Sequence, residues 1–336
     1  MQEAVELDTG RFQLNRLSSA QHRDSLAEDV RHGLMSEPRV LLPKYFYDER
    51  GSKLFDQICQ TEEYYLTRTE SILLKKHADE IIAITRPTAI VEYGSGTSEK
   101  TELLIQAAHQ QYAGLHYLPL DVCEEILVEA GDRLIERYPE LSIDAWHGDF
   151  LDGMDHFKNG HKRSLYVFLG SSLGNFSENE AIGFLRGVRN TIKDSDWFLL
   201  GVDMVKDHAI LNAAYNDNRG HTAAFNLNVL NVLNQALDGN FNKGKFKHQA
   251  FFDTEHSRIE MRLLSCCQQT VTLHDIDLKI EFEEGEHIVT EYSRKYTADS
   301  IRQLLSKAGF KPQNIYTGNN NEFMLILSSC SEADER

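Results

Sequence analysis

The chain has 336 residues, enough for one large domain or two ordinary ones, and its 41% hydrophobic content is ample for a core. Its 52 acidic against 35 basic side chains give a formal charge of −17, a field that repels nucleic acid and anionic membranes and excludes polyanionic partners. Five cysteines (Cys59, Cys123, Cys266, Cys267 and Cys330) form no CxxC pair, no apolar run approaches the ~20 residues that span a bilayer, and MQEAVELDTGRF lacks a signal-peptide pattern, so a cytoplasmic, reducing setting is expected.

Residues 1–30 read as polar and loosely held until SLAEDVRHGLM, where a first helix is expected. PKYFYDERGSKLFDQICQTEEYYLTRTE (43–70) is dense in aromatics and turns, and its tail continues as a helix through SILLKKHADEIIAI. From residue 88 strands and helices alternate. TAIVEY ends at Gly94, GLHYLPLD at Asp121 and LSIDAWHGDF near Asp149, followed by SLYVFLGSS and DWFLLGVDM. Ile126, Leu127, Ala130 and Leu134 mark one face of a helix between the second and third strands. Ser177 and Glu180 in FSENEA form a capping-box signature. This alternation predicts an α/β fold with a mainly parallel sheet covered on both faces.

Residues 205–290 break the rhythm. HAILNAAYNDNRGHTAAFNLNVLNVLNQAL is asparagine-rich with helical period, and FKHQAFFDTEHSRIEMRLLSCCQQTVTL alternates like antiparallel strands, with Cys266 and Cys267 expected as buried thiols in a strand. TADSIRQLLSKAGF then resumes as a helix ended by Gly309, and NEFMLILSS supplies a final strand. The expected organisation is an N-terminal segment 1–39, a nucleotide-type domain 40–204 completed by 294–330, an inserted domain 205–293 and a tail 331–336.

The glycine turn in VEYGSGTSEKT carries the first chemistry. A P-loop (GxxxxGK[ST]) would put its second glycine where Glu99 stands, and a dinucleotide fingerprint (GxGxxG) would put its third there. A carboxylate at that place faces phosphates that the backbone must cradle, so both readings are weak. An adenosyl cofactor without phosphates makes no such demand. Gly94 and Gly96 allow close approach of its amino-acid part, Asp121 is placed to accept from both ribose hydroxyls, Asp149 from the adenine amino group, and Phe150 can pack on the ring.

Several blocks then converge. PKYFYDERGSKLFDQICQTEEYYLTRTE, VEYGSGTSEKT, LPLDV, GDF, LGSSLGNF, AAYND, RIEMRL and TEYSRKY resemble, in order over about residues 40–330, the L-histidine Nα-methyltransferases of ergothioneine biosynthesis. The resemblance implies a Rossmann-like fold with an inserted α+β substrate domain, S-adenosyl-L-methionine (SAM) as cofactor, and trimethylation of the histidine α-amino group to hercynine. It implies Tyr47 near the methionyl end of SAM, Gly94 at the turn, Lys100 on the SAM carboxylate, Asp121 on the ribose, Asp149 and Phe150 on the adenine, and Gly170 at the fourth strand's end. Asn175 and Tyr215 would hold the substrate carboxylate and orient the amine, Tyr64 would line the pocket, Glu291 and Ser293 would bind the imidazole, and Met261 would pack beside it. Asn175 and Tyr47 are the catalytic candidates, Tyr47 and Tyr64 facing the growing methylammonium by cation–π attraction. A monomer acting on small molecules is expected, and, since the fourteen histidines form no HExxH and no other short ligand spacing, no metal.

Taken singly, each position has a plainer reading. Tyr64, Tyr215 and Met261 would serve as core, Asn175 as a helix cap, Lys100 as a helix-surface lysine, and Glu291 with Ser293 as one solvated strand face. A related methyltransferase for another amino acid, and a P-loop-like nucleotide-binding protein, are the competing assignments.

Overall fold

The structure is a computed structural model that describes residues 10–17, 19–157, 163–318 and 320–330. Residues 1–9 and the expected tail at 331–336 lie outside the described residues. In chain order the elements are β1 (Phe12–Arg16), α1 (Ser19–Met35), β2 (Arg39–Val40), α2 (Glu49–Cys59), α3 (Leu66–Thr85), β3 (Ala89–Tyr93), α4 (Glu99–Gln111), β4 (His116–Asp121), α5 (Glu124–Arg137), β5 (Ser142–His147) and α6 (Phe150–Gly153). There follow β6 (Ser164–Phe168), α7 (Glu178–Thr191), β7 (Trp197–Asp203), α8 (His208–Ala214), α9 (His221–Ala236), β8 (Phe246–Asp253), β9 (Arg258–Ser265), β10 (Gln269–Leu273), β11 (Leu278–Phe282), β12 (His287–Arg294), α10 (Ala298–Lys307), β13 (Lys311–Thr317) and β14 (Phe323–Ser329). They form two compact units, each discontinuous in sequence.

The first unit comprises the described residues of Met1–Ser18, Leu66–Val205 and Lys295–Arg336. Its sheet runs β1-β5-β4-β3-β6-β7-β14-β13. Strands β1 to β7 of that order pair in parallel, while β14 runs antiparallel to β7 and to β13. Every residue of β3 and β6 is buried, as strands with helices on both faces require. The strand order reverses beside β3, the first strand of the alternation, and in such sheets ligands gather at the carboxyl ends flanking that reversal. This is the α/β architecture with a mainly parallel sheet expected from the alternation, and the Rossmann-like fold that the resemblance implies.

Local signals explain the helices. Ser177 and Glu180 form the expected capping box at α7, Thr297 and Ser300 another at α10, and Gly309 follows α10 with φ +88°. In this sheet two strands escape the sequence reading. β1 lies in the stretch read as loosely held, yet Phe12 and Leu14 are buried against β5. β13 shows no clean alternation because its register against β14 shifts between Pro312 and Asn314.

The second unit comprises Ser19–Tyr65 and Lys206–Arg294. One sheet runs β2-β12-β9-β8 and a hairpin pairs β10 with β11. Residues 40–65 therefore stand with 206–294, where the sequence reading had grouped them with the cofactor domain. The reason is packing: Leu41 N–H donates to the Val289 carbonyl, the Phe46 and Phe225 rings sit 4.6 Å apart, and Asn228 donates to Asp48 at 2.8 Å. Cys266 and Cys267 sit past the end of β9, Cys266 exposed and Cys267 partly so, which corrects the expectation of buried strand thiols. Among the described residues no helix is long and apolar enough to cross a membrane.

Candidate active site

Of the predicted cofactor residues, Tyr47 lies in the second unit; the others lie in the first, Lys100 in the first turn of α4 and the rest just past the carboxyl ends of β3, β5 and β6 or at the end of β4. The turn after β3 is left-handed at three of five positions, Gly94 (φ +67°), Gly96 (φ +49°) and Ser98 (φ +57°). Such a conformation costs an L-residue roughly 1–2 kcal/mol, which accounts for two glycines. Among the described residues beyond its two chain neighbours, no atom lies within 4 Å of where a Cβ would stand on either one, so the backbone there is open to a ligand.

Asp121, the last residue of β4, holds this turn. Its Oδ2 accepts from Gly96 N–H (2.8 Å) and its Oδ1 from Cys123 N–H (3.0 Å). Each oxygen keeps a second lone pair that can accept from a ribose hydroxyl. Burial raises the pKa of this carboxyl against the pull of the backbone N–H groups. Asp149 caps α6, its Oδ1 accepting from Leu151 N–H at 3.0 Å, and Phe150 lies edge-on to Phe168 and Phe184. Asn175 ends the turn Ser172–Asn175, entered through left-handed Ser171.

Lys100 and Gly170 meet on a residue the sequence reading missed. Glu70, on α3 and fully buried, accepts from Lys100 Nζ (2.7 Å) and from Gly170 N–H (2.9 and 3.0 Å). Space for that carboxylate exists because β7 carries Gly201, where a Cβ would fall 2.0 Å from Glu70 Oε1. The signal lay in the periodicity: Glu70 interrupts the buried stripe Leu66, Leu73, Leu74, Ala78 of α3. Glu92 is a second missed acid. Inside β3, it accepts from Thr101 Oγ1 (2.5 Å) and from the Tyr117 hydroxyl, and burial pushes its pKa up to about 7.

The predicted substrate residues other than Asn175, which belongs to the first unit, lie together with Tyr47 in the second unit. Glu291 and Ser293 share a face of β12, and Met261 lies directly across from Glu291 on β9. The Tyr215 hydroxyl donates to Ser293 Oγ at 2.8 Å. The Tyr64 ring is 6.2 Å from Tyr215 and 5.9 Å from Phe55, and Tyr47 is 5.7 Å from Phe55. Burial holds the Tyr64 phenol well above the ordinary tyrosine range, with Tyr215, Tyr47 and Glu291 adding in the same direction, so it stays a neutral donor. Tyr292 points to the opposite face, under the Arg258 guanidinium at 3.6 Å. An aromatic box beside one carboxylate and one hydroxyl suits a flat, nitrogen-bearing cation or a neutral heterocycle. Among the described residues no group of three or more His, Cys, Asp or Glu is placed to hold a metal ion.

A profile of the family described as "Histidine-specific methyltransferase, SAM-dependent" matches residues 26–330. The chain is 39% identical over 314 residues to the histidine N-alpha-methyltransferase of Mycolicibacterium smegmatis, covering 94% of this chain and 98% of that protein. It is 37% identical over 305 residues to that of Mycobacterium tuberculosis, covering 91% and 95%. Ergothioneine biosynthesis protein 1 of Neurospora crassa is 31% identical over 298 residues, 87% of this chain and 33% of that larger protein.

Proposed function

The chain belongs to the SAM-dependent, histidine-specific methyltransferase family, and we propose that it carries the α-amine of L-histidine through three methylations to hercynine using the residues described above. The observation that carries the residue assignment is the convergence of Tyr47, Tyr64, Tyr215, Met261, Glu291 and Ser293 in one unit, from segments as distant as residues 47 and 293.

The cradle in the first unit fits SAM. The open backbone at Gly94 and Gly96, the acceptor Asp121, and Asp149 with Phe150 match an amino-acid group, a ribose and an adenine, and none of them needs a phosphate. Lys100 gives one of its three donors to Glu70, which would leave two for the carboxylate of the cofactor. When bound, SAM supplies an electrophilic methyl group on sulfonium. The chain's own residues have to hold a neutral amine in line with it. The α-ammonium of a free amino acid, beside its own carboxylate, holds its proton more tightly than the ~8 of a chain terminus, so only a small fraction is neutral at pH 7 and the site has both to let that proton leave and to position the amine.

Asn175 has both donor and acceptor for the carboxylate and amine of the substrate, and Tyr215 adds a neutral donor. Tyr47 and Tyr64 offer ring faces to the ammonium as methyl groups accumulate. A neutral imidazole has one N–H and one bare nitrogen. Glu291 accepts from the first, and Ser293, whose oxygen already receives the Tyr215 proton, donates to the second. An aliphatic or phenyl side chain leaves that pair unsatisfied, at a cost of about 1–3 kcal/mol, or roughly 5- to 150-fold in affinity. The reading is completed by a cytoplasmic monomer with small-molecule partners only, consistent with the charge of −17.

Glu291→Ala tests it. In calorimetric titrations histidine affinity should fall at least roughly tenfold, while S-adenosylhomocysteine affinity stays within about twofold of the parent, the margin of independent sites. Equal loss of both ligands would make Glu291 structural. Mass spectrometry over an amino-acid panel tests the substrate, and turnover of another amino acid in place of histidine would overturn the assignment.

A further inference from the structure

The substrate-side hydroxyls of Tyr215 and Ser293 belong to a closed ring of hydrogen bonds that begins and ends on β12. Thr290 Oγ1 donates to Asn226 Oδ1 (2.7 Å), and Asn226 Nδ2 bonds both the Arg262 carbonyl (3.0 Å) and His248 Nδ1 (2.9 Å). His248 Nε2 bonds the Tyr215 carbonyl (3.0 Å), and the Tyr215 hydroxyl returns to Ser293 (2.8 Å). Thr290, Asn226, Ser293 and Tyr215 are all buried.

The direction of the ring is forced. Backbone carbonyls only accept, so Asn226 must turn its amide nitrogen to Arg262, which presents that same nitrogen to His248 Nδ1. The Tyr215 carbonyl likewise requires the proton on His248 Nε2. His248 is thus held as one neutral tautomer between an amide donor and a main-chain acceptor. The segment it grips is also fastened at its flanks: Asn212 Oδ1 accepts from Phe252 N–H (2.7 Å), and Asn216 Nδ2 donates to the Ala250 carbonyl (3.0 Å) on β8, an edge strand.

We propose that His248 is a positioning residue for the amino-acid substrate. It acts by holding the Tyr215 main chain so that the Tyr215 hydroxyl meets Ser293, with Asn226 selecting its tautomer. The proposal rests on the assignment of Tyr215 and Ser293 to the substrate made above.

Three variants of the full chain separate the two. His248→Leu keeps the bulk and removes both bonds. His248→Gln keeps one acceptor and one donor at similar reach. Tyr215→Phe removes the hydroxyl alone. Steady-state kinetics would give KM and kcat for histidine, and calorimetry the affinity for S-adenosylhomocysteine. The expected result is a rise of at least roughly fivefold in the histidine KM for His248→Leu and Tyr215→Phe. His248→Gln should return most of the loss, with cofactor-product affinity unchanged throughout. If Tyr215→Phe raises the KM and His248→Leu does not, the positioning role is wrong and the substrate assignment stands. If Tyr215→Phe leaves the KM unchanged, the substrate assignment itself fails. Equal loss of histidine and cofactor-product binding in His248→Leu, not restored by glutamine, would show a merely structural residue. Should the leucine variant not fold, His248→Asn is too short to bridge Asn226 and the Tyr215 carbonyl and is read by the same outcomes.

Discussion

At the scale of the residue, the acids around the glycine turn after β3 divide the labour. Asp121 grips the turn from outside through Gly96 N–H, Glu70 orients Lys100 and Gly170, and Glu92 anchors the start of α4 through Thr101. Asp121 was legible because a strand-end acid has a recognisable place in the pattern. Glu70 and Glu92 were not assigned, because a charged letter in an apolar stretch announces an exception without naming its partner. Glu92 also sets a pH dependence. Its native pKa of about 7 lies above the ordinary 4.5, so the folded state binds more protons between those values. The stability due to this proton is complete below about pH 4.5, is lost as pH rises through about 7, and is constant beyond, a difference on the order of 3 kcal/mol. Glu92→Gln imitates the protonated group. Its melting temperature relative to the parent should climb between pH 5 and 7 and level off above 8, and a difference that is flat with pH would mean that Glu92 ionises normally.

At the scale of the element, the ends of β7 and the approach to α10 are locked together. Asp203 and Lys295 form an ion pair at 2.9 Å with both side chains fully buried. Tyr296 N–H donates to the Asp203 carbonyl, Val205 N–H to the Tyr296 carbonyl, and Asp203 N–H to Ser171 Oγ at 2.9 Å. The Tyr296 hydroxyl reaches the Leu173 carbonyl at 3.3 Å, so this joint also shapes the turn that carries Asn175. Lys295→Met should cost about 3–5 kcal/mol in denaturant unfolding, because the Asp203 carboxylate loses its ammonium in a dry site. Adding Asp203→Asn should recover part of it. Equal stability of the single variant and the parent would deny the pair its role. Helices with caps, such as α7 and α10, were readable from a few adjacent letters, since a cap is satisfied within four residues. β1 and β13 were not, because short strands take their identity from the neighbour they pair with.

At the scale of the molecule, each unit is assembled from separate stretches of chain. The second unit needs 19–65 as much as 206–294. β2 pairs with β12, Phe46 and Tyr47 pack on Phe225, and Asn228 bonds Asp48. Expressed alone, 206–294 should therefore show no cooperative thermal transition by circular dichroism, its α9 face and β12 edge being left uncovered. A cooperative melt of that fragment would refute this account of its core.

The sequence by itself determined the class of fold, the cofactor chemistry and the family. Those rest on short-range regularities: strand and helix periods, glycines where φ must be positive, an acid at a strand end, and blocks in a fixed order. Only the tertiary structure decided which stretches share a core and which side chain answers which. It joined Lys100 to Glu70, placed residues 19–65 with the second unit, and closed the ring from Thr290 through Asn226, His248 and Tyr215 to Ser293. Periodicity states which face of an element is buried. It does not state against what, and the partners here lie as far apart in sequence as Leu41 and Val289.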